Sequence, residues 1–316
     1  KTVYFVHIGG VDSSKYFYDA TFYRDEVAKP WVMLREALEK AGYQIGFTYD
    51  CTQLKDVAAI VSINDGSPEL LQHLRRYAHK SLLLVMEPPI VLSQLHDRKL
   101  KYYFAKILTL FDAPIDQVKY FKLHFPQPRL EMLPERVEFS NKKFAAMINA
   151  NKDFEGAGSL YAERKNVIAC FSEVPEGFDL YGPGWEGLSA WRGTVVSKWV
   201  TLKDYKFCFC YENLTDQTGY ITEKIFDAFV AGCVPIYLGA DNVTDYIPKN
   251  CFIDRRDFPS LAELYHFLQQ MDAAAYDLYV ARIQEFLHSE KAQVFSSEHF
   301  VQTLLKAIQE IDKCFF

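Results

Sequence analysis

Short, nearly continuous apolar runs punctuate the first half of the chain: Val3–Ile8, Val57–Ile63, Ser81–Met86 and Ala105–Leu110. Such runs predict strands buried on both faces, which lose the alternation of a half-exposed sheet. Between them, Pro30–Ala41 puts Trp31, Leu34, Leu38 and Ala41 on one face, with proline in its first turn and Gly42 at its stop. Those are the marks of an amphipathic helix. Asn64-Asp65-Gly66-Ser67-Pro68 turns into a second helix, predicted over Glu69–His79. Strands alternating with helices of this length imply a parallel sheet covered on both sides.

The pattern lapses over Phe125–Glu138, which carries three prolines and little periodicity, and then restarts. Strands are predicted at Phe144–Asn149, Phe178–Tyr181, Phe207–Tyr211 and Val234–Leu238, and helices at Ser159–Phe171 and Thr222–Ala231. From Leu261 to Ile311 the spacing is helical. The expected division is therefore a first domain over residues 1–138 and a second over 139–316, each a doubly wound α/β unit. In such sheets ligands bind outside the carboxyl ends of the strands, so polar residues that follow strand ends are the ones to examine.

Composition narrows the function classes. The chain has 316 residues, 49% of them apolar and 24% charged, with a formal net charge of −6. No block of lysine or arginine offers the basic face that nucleic-acid binding requires. No run approaches the roughly 18 to 20 apolar residues that span a bilayer. The seven cysteines are scattered without zinc-ligand spacing, and read as free thiols in a reducing compartment. Two sequons, Asn213-Leu-Thr215 and Asn242-Val-Thr244, are read as accidental. A cytoplasmic location, with peripheral association at the inner face of the membrane, is the expectation; a trimmed Golgi-type catalytic domain is the second choice.

The densest candidate stretch is Tyr205–Gly239. An apolar strand ends at Tyr211, Glu212 and Asn213 emerge at its carboxyl end, and a polar loop leads to a helix start at Thr222-Glu223-Lys224. A helix amino end attracts a diphosphate, Lys224 can add a charge, and Glu223 can accept hydrogen bonds from sugar hydroxyls. The same residues also fit an ordinary helix start, with an acid offsetting the dipole and a solvated lysine. Glu87, in Met86-Glu87-Pro88-Pro89, is the first polar residue after a dry strand. Such a carboxylate would carry a raised pKa and suit a general base, or it is a solvated turn residue. Arg164, on the helix predicted over Ser159–Phe171, is the residue type for bidentate phosphate contact, or a surface cation. His7, after the first strand, reads as an acceptor contact or a packed core-edge histidine. The aromatic segment Tyr16–Tyr23 (YFYDATFY) fits a sugar-stacking platform and a packed loop equally.

At Tyr205–Gly239 the motifs YKF, YEN, GYITEK and VPIYLG stand in the order seen in the α1,3-fucosyltransferases, the family-10 glycosyltransferases, which the sequence resembles over residues 80–310. The MEPP step at Glu87 is similar to the family's Glu-[Ser/Pro]-Pro step, and Arg164 falls on the helix whose arginine reaches the donor phosphates. Leu214 stands where serine is common, Tyr211 replaces the commoner phenylalanine, and the loop after Asn213 is one residue longer than in some bacterial members.

The resemblance implies a fold of class α/β with GT-B architecture, two Rossmann-like lobes with parallel sheets facing across a cleft. It implies an inverting transfer of L-fucose from GDP-β-L-fucose to a hydroxyl, O3 of GlcNAc or Glc, on an oligosaccharide or glycoconjugate acceptor. Glu87 would be the base; Arg164, Asn213, Tyr220, Thr222, Glu223 and Lys224 would hold the donor; His7 would touch the acceptor. No cofactor is expected, with a divalent metal at most stimulatory. Two rival readings remain: a transferase of the same architecture using another GDP-sugar, and a non-catalytic two-lobe binding protein.

Overall fold

The computed structural model describes residues 1–6 and 13–313 and divides them into two compact units. The first comprises Lys1–Pro128 together with Phe295–Phe316, the second Arg129–Val294. The division at Pro128 falls inside the proline-bearing segment. The C-terminal stretch, assigned to the second domain from sequence, belongs to the first.

In the first unit, β1 (Thr2–Val6), β2 (Gln44–Thr48), β3 (Val57–Ile63), β4 (Ser81–Val85), β5 (Lys106–Thr109) and β6 (Tyr120–Lys122) form one sheet in the order β2-β1-β3-β4-β5-β6. Every pairing is parallel. All seven residues of β3 are buried, as expected of a central strand covered on both faces. The helices α1 (Lys15–Tyr18), α2 (Lys29–Lys40) and α3 (Pro68–Leu74) follow their strands. Leu34 and Leu38 are the buried stripe of α2, and the Ser67 side chain caps α3.

The second unit repeats this plan with β7 (Lys143–Ile148), α4 (Tyr161–Phe171), β8 (Phe178–Tyr181), α5 (Lys198–Leu202), β9 (Tyr205–Tyr211), α6 (Glu223–Val230), β10 (Val234–Leu238), α7 (Val243–Tyr246) and β11 (Ile253–Asp254). Its parallel sheet runs β11-β10-β9-β7-β8. Helices α8 (Leu261–Gln270), α9 (Ala273–Leu287) and α10 (Glu290–Gln293) complete it.

The final helix, α11 (Ser297–Lys313), buries Phe300, Val301, Leu304, Ala307, Ile308 and Ile311. It packs into the first unit: Phe300 meets the ring of Trp31 edge-on at 5.1 Å, and the Ser297 hydroxyl donates to the Gln127 carbonyl at 2.9 Å.

Both sheets share one topological feature. The chain leaves the strand it forms first toward one side and the third strand toward the other, so the order reverses between β1 and β3, and again between β7 and β9. Connecting helices diverge at such a point and leave a crevice outside the carboxyl ends of the strands, where ligands of doubly wound sheets bind.

Candidate active site

At the reversal in the second unit, β9 delivers Glu212 and Asn213. Strand β9 pairs with β10 from Phe207–Val234 to Tyr211–Leu238, and the Glu212 amide continues the ladder to the Leu238 carbonyl at 2.8 Å. Glu212 is fully buried. Its carboxylate accepts from the Thr222 amide at 2.8 Å, the Thr222 hydroxyl at 2.7 Å and the Lys224 ammonium at 3.1 Å. The loop after Asn213 is thereby tied back onto the strand that begins it. Gly239 is required here, because a Cβ at that position would lie 2.5 Å from the Glu212 Cγ.

The tie affects α6. Thr222 is its N-cap residue, yet the Thr222 hydroxyl is committed to Glu212 and caps no amide of the first turn. The N-cap side chain therefore gives the first-turn amides of α6 no acceptor, a condition that favours an anion at a helix start.

Arg164 reaches this strand end from α4. Its Nη2 donates to the Tyr211 carbonyl at 2.8 Å, the Glu212 carbonyl at 2.6 Å and the Asn213 Oδ1 at 2.9 Å, while the guanidinium lies 4.7 Å from the Tyr161 ring centroid. Only 4% of Arg164 is exposed, and its Nε is buried without a hydrogen-bond partner. Burial pulls its pKa down, opposed by Tyr161 and Glu212. A buried donor left unmatched is rare and calls for an acceptor. Asn213 also donates through Nδ2 to the Tyr220 hydroxyl at 3.3 Å. Both sequon asparagines are engaged within the fold, Asn242 by accepting from the Gly219 amide at 2.8 Å.

Lys224 and Glu223 belong to a longer chain of charges. Lys198, from α5, contacts Glu223 at 3.3 Å and Asp227 at 2.7 Å, and the Trp199 indole donates to Asp227 at 2.8 Å. Burial opposes ionisation of Glu223, but Lys224 and Lys198 outweigh it and hold the carboxyl below its ordinary value. For Asp227 burial dominates and raises the pKa against the pull of Lys198. Burial likewise works against the charge on Lys224, yet Glu212 and Glu223 keep that ammonium above its ordinary value. A cavity of about 20 Å³ lies among Asn149, Lys198, Lys224 and Asp227, enough for a single water. Asn149 follows β7 at the same reversal, and its Nδ2 is buried without a partner.

The structure thus brings Arg164, Asn213, Tyr220, Thr222, Glu223 and Lys224 together around one strand end. Tyr220 and Thr222 are 2% and 3% exposed, and their observed contacts tie down the loop. Sequence reasoning did not single out Asn149, Lys198 or Asp227, nor see Glu212 as the clasp. Asn149 carried the signal used for Glu87, a polar residue directly after a buried strand. Lys198 and Asp227 carried none, since their pairing is made only by the packing of α5 on α6.

In the first unit, Glu87 follows β4 by two residues and is half-buried. The Asn64 side chain accepts from the Met86 amide at 2.7 Å, and Nε2 of His96 lies 2.9 Å from the Glu87 carbonyl oxygen, positioned to donate to it. Burial lowers the pKa of His96 while that carbonyl raises it, and the ring stacks edge-on against Phe111 at 5.0 Å. The turn is further stiffened by the Pro88 carbonyl, which accepts from the amides of Val91 and Leu92. His7 lies outside the described residues. Among the described residues no cluster of three His, Cys, Asp or Glu side chains could hold a metal ion, and no helix is long and apolar enough to cross a membrane.

Residues 145–312 match the profile of the C-terminal region of glycosyltransferase family 10 (fucosyltransferase), which covers more than half of the chain. The chain belongs to glycosyltransferase family 10. Over 82 residues it is 42% identical to the alpha-(1,4)-fucosyltransferase of Arabidopsis thaliana, covering 25% of this chain and 20% of that protein. Over 74 residues it is 42% identical to 4-galactosyl-N-acetylglucosaminide 3-alpha-L-fucosyltransferase 9 of Mus musculus, covering 23% and 20%. The aligned stretch thus spans about a fifth of the length of these curated relatives.

A solved alpha1,3-fucosyltransferase structure superposes with a TM-score of 0.60 at 16% identity, over 98% of this chain and 91% of that one. An alpha-glucosyltransferase in complex with UDP gives 0.56 at 10% identity, over 97% and 99%. Two parallel sheets flanked by helices, each with the Rossmann-like strand order, place this family-10 chain in the GT-B architecture.

Proposed function

We propose that the protein transfers L-fucose from GDP-β-L-fucose to an acceptor hydroxyl with inversion, the hydroxyl being O3 of GlcNAc or Glc. The observation that carries the reading is the construction at the end of β9 in a family-10 chain: an uncapped start of α6, with Lys224 beside it and the orphaned Arg164 Nε nearby. A structural neighbour at 15% identity was solved with GDP-fucose, which supports a nucleotide-sugar donor.

The second unit holds the donor and the first unit holds the acceptor. Glu87 takes the proton of the acceptor hydroxyl while its oxygen forms a bond to the anomeric carbon. The bond from that carbon to the β-phosphate oxygen breaks, and its electron pair leaves with GDP. Negative charge grows on the diphosphate, where the α6 amino end, Lys224 and Arg164 stabilise it as preorganised groups. Asn213, Tyr220, Thr222 and Glu223 position ribose, phosphate and fucose. His96 orients the Glu87 turn through the backbone.

The test is a panel of GDP-fucose, GDP-mannose and other GDP-deoxysugars against GlcNAc- and Glc-terminated acceptors, with released GDP measured and the product linkage assigned by NMR. The reading expects GDP release with GDP-fucose and an α-linked O3 product. Turnover with another donor alone assigns the chain a different GDP-sugar. Donor binding without acceptor-dependent GDP release makes it a binding protein.

A further inference from the structure

Twelve large hydrophobic side chains are exposed among the described residues, and five of them, Tyr18, Phe22, Tyr23, Val27 and Tyr49, fall in the two connections that follow β1 and β2. Scattered single exposures need no explanation, whereas a cluster at one place does. Phe22 is 39% exposed and Tyr23 48%. Each packs against the half-buried Tyr16, Phe22 edge-on at 5.0 Å between ring centroids and Tyr23 at 6.4 Å.

The cluster is fixed to the sheet from below. Phe17, 1% exposed, sits 4.5 Å from Phe5 of β1, 5.2 Å from Phe47 of β2 and 5.5 Å from Trp31 of α2. The Arg35 side chain donates to the Phe17 carbonyl at 2.9 Å. Below the surface the segment is thus a packed loop, while its outer rings Phe22 and Tyr23 stay partly exposed. Asp19 closes the turn between them by accepting from the amide and hydroxyl of Thr21. Immediately beyond Tyr23, Asp25 and Glu26 both adopt φ of 55°. Successive non-glycine residues in that region persist only where the surroundings hold them.

The location supplies the ligand class. Strand β1 borders the reversal in the first sheet, and Glu87 follows β4, two strands away across β3. At a spacing of about 4.8 Å per strand, the ends of β1 and β4 are on the order of 10 Å apart, and Phe17 ties the aromatic segment to the carboxyl-end side of β1 and β2 through Phe5 and Phe47. The outer rings also carry cations on one side, Lys15 over Phe22 at 5.6 Å and Arg24 over Tyr23 at 5.8 Å, and Asp19, Asp25, Glu26 and Lys29 bring the net charge of residues 15–29 to zero. An aromatic surface without net charge suits the C–H face of a neutral saccharide.

We propose that Phe22 and Tyr23, braced by Tyr16, form the stacking platform for a neutral oligosaccharide acceptor. This rests on the transferase reading above. The test uses the whole chain with GDP-fucose and N-acetyllactosamine, comparing wild type with Phe22→Ala, Tyr23→Ala, the double variant and Tyr23→Phe. The double variant is expected to raise the acceptor KM at least 10-fold, with kcat, donor KM and calorimetric GDP affinity within twofold of wild type. Tyr23→Phe, which keeps the ring, stays near wild type. An unchanged acceptor KM in the double variant overturns the platform and leaves the transferase reading intact.

If the wild type turns over no GDP-fucose, that reading fails, and saturation-transfer NMR with the same oligosaccharide still tests the platform. Loss of saccharide signal in the double variant alone supports it; no saccharide signal in the wild type overturns it. A melting temperature within about 2 °C of wild type is expected for each variant, since both rings are exposed.

Discussion

Replacing Glu87 by glutamine keeps the size and polarity of the side chain and removes its capacity to accept a proton. The contacts that fix the turn, from His96 to the Glu87 carbonyl and from Met86 to Asn64, involve backbone atoms of this segment and survive the change. Turnover of Glu87→Gln should therefore fall roughly 10²-fold or more while GDP affinity is retained; near-normal turnover would remove Glu87 as the base. At Arg164 two roles can be separated. Arg164→Ala deletes the donor shared by the Tyr211 and Glu212 carbonyls, and should cost about 2 to 3 kcal/mol of stability as well as GDP affinity. Arg164→Lys supplies a charge and three donors but nothing in place of Nε. If that nitrogen awaits the donor, calorimetry will show weaker GDP binding with little change in melting temperature. Unchanged GDP affinity in both variants would leave Arg164 as a brace of the strand end only.

Elements with a complete local signature were legible from the chain alone. Strands β3, β8 and β10 match their predicted limits, because each is a buried run with clear stops. The helix expected over Glu69–His79 instead becomes α3 over Pro68–Leu74 followed by a 3-10 segment, Arg75–Lys80. Strands β2, β6 and β11 were not foreseen: β2 and β6 are half-exposed, β11 has two residues, and all three lie at sheet edges. At the site, strand ends and the helix start were legible, whereas the Glu212 clasp and the Lys198–Asp227 pair depend on tertiary packing. The contact between the β6 end and α11 was equally invisible. It sets His124 6.1 Å from His299 of α11 and edge-on at 4.9 Å to Phe295, just before that helix. Burial first, then Lys122 and His299, push the His124 pKa down to about 3, with Asp112 opposing; burial also lowers that of His299. The His124 ring is therefore neutral in the folded chain down to strongly acidic pH and takes up a proton on unfolding below the ordinary histidine value of about 6.5. The unfolded state then binds more protons, so this stability is full above pH 6.5 and declines as pH falls toward 3. The slope is about 1.4 kcal/mol per pH unit for each proton. Urea unfolding at pH 7.5, 6.5 and 5.5 should show the decline, and His124→Phe should flatten it.

For the whole molecule, the unit that begins the chain is completed by the segment that ends it. Helix α11 places Phe300, Leu304, Ile308 and Ile311 at the spacing of one face, and their burial within the first unit is a long-range closure. Lys1 pairs with Asp312 at 2.7 Å, and Lys106 with Glu310 at 2.5 Å. These exposed or half-exposed ion pairs add little. The buried face contributes far more: Phe300, Val301, Leu304, Ile308 and Ile311 together represent on the order of 10 kcal/mol of hydrophobic stabilisation, comparable with the net stability of an ordinary domain. A chain ending at Val294 should therefore lose the first unit's cooperative transition and expose its sheet face, while residues 129–294 keep their own core. Differential scanning calorimetry is expected to show one transition lost and one retained, with calorimetric GDP binding surviving and acceptor-dependent turnover abolished. Loss of GDP binding together with turnover would mean that the second unit does not form the proposed donor site unaided. Retention of both would show that α11 is dispensable to the sheet it covers.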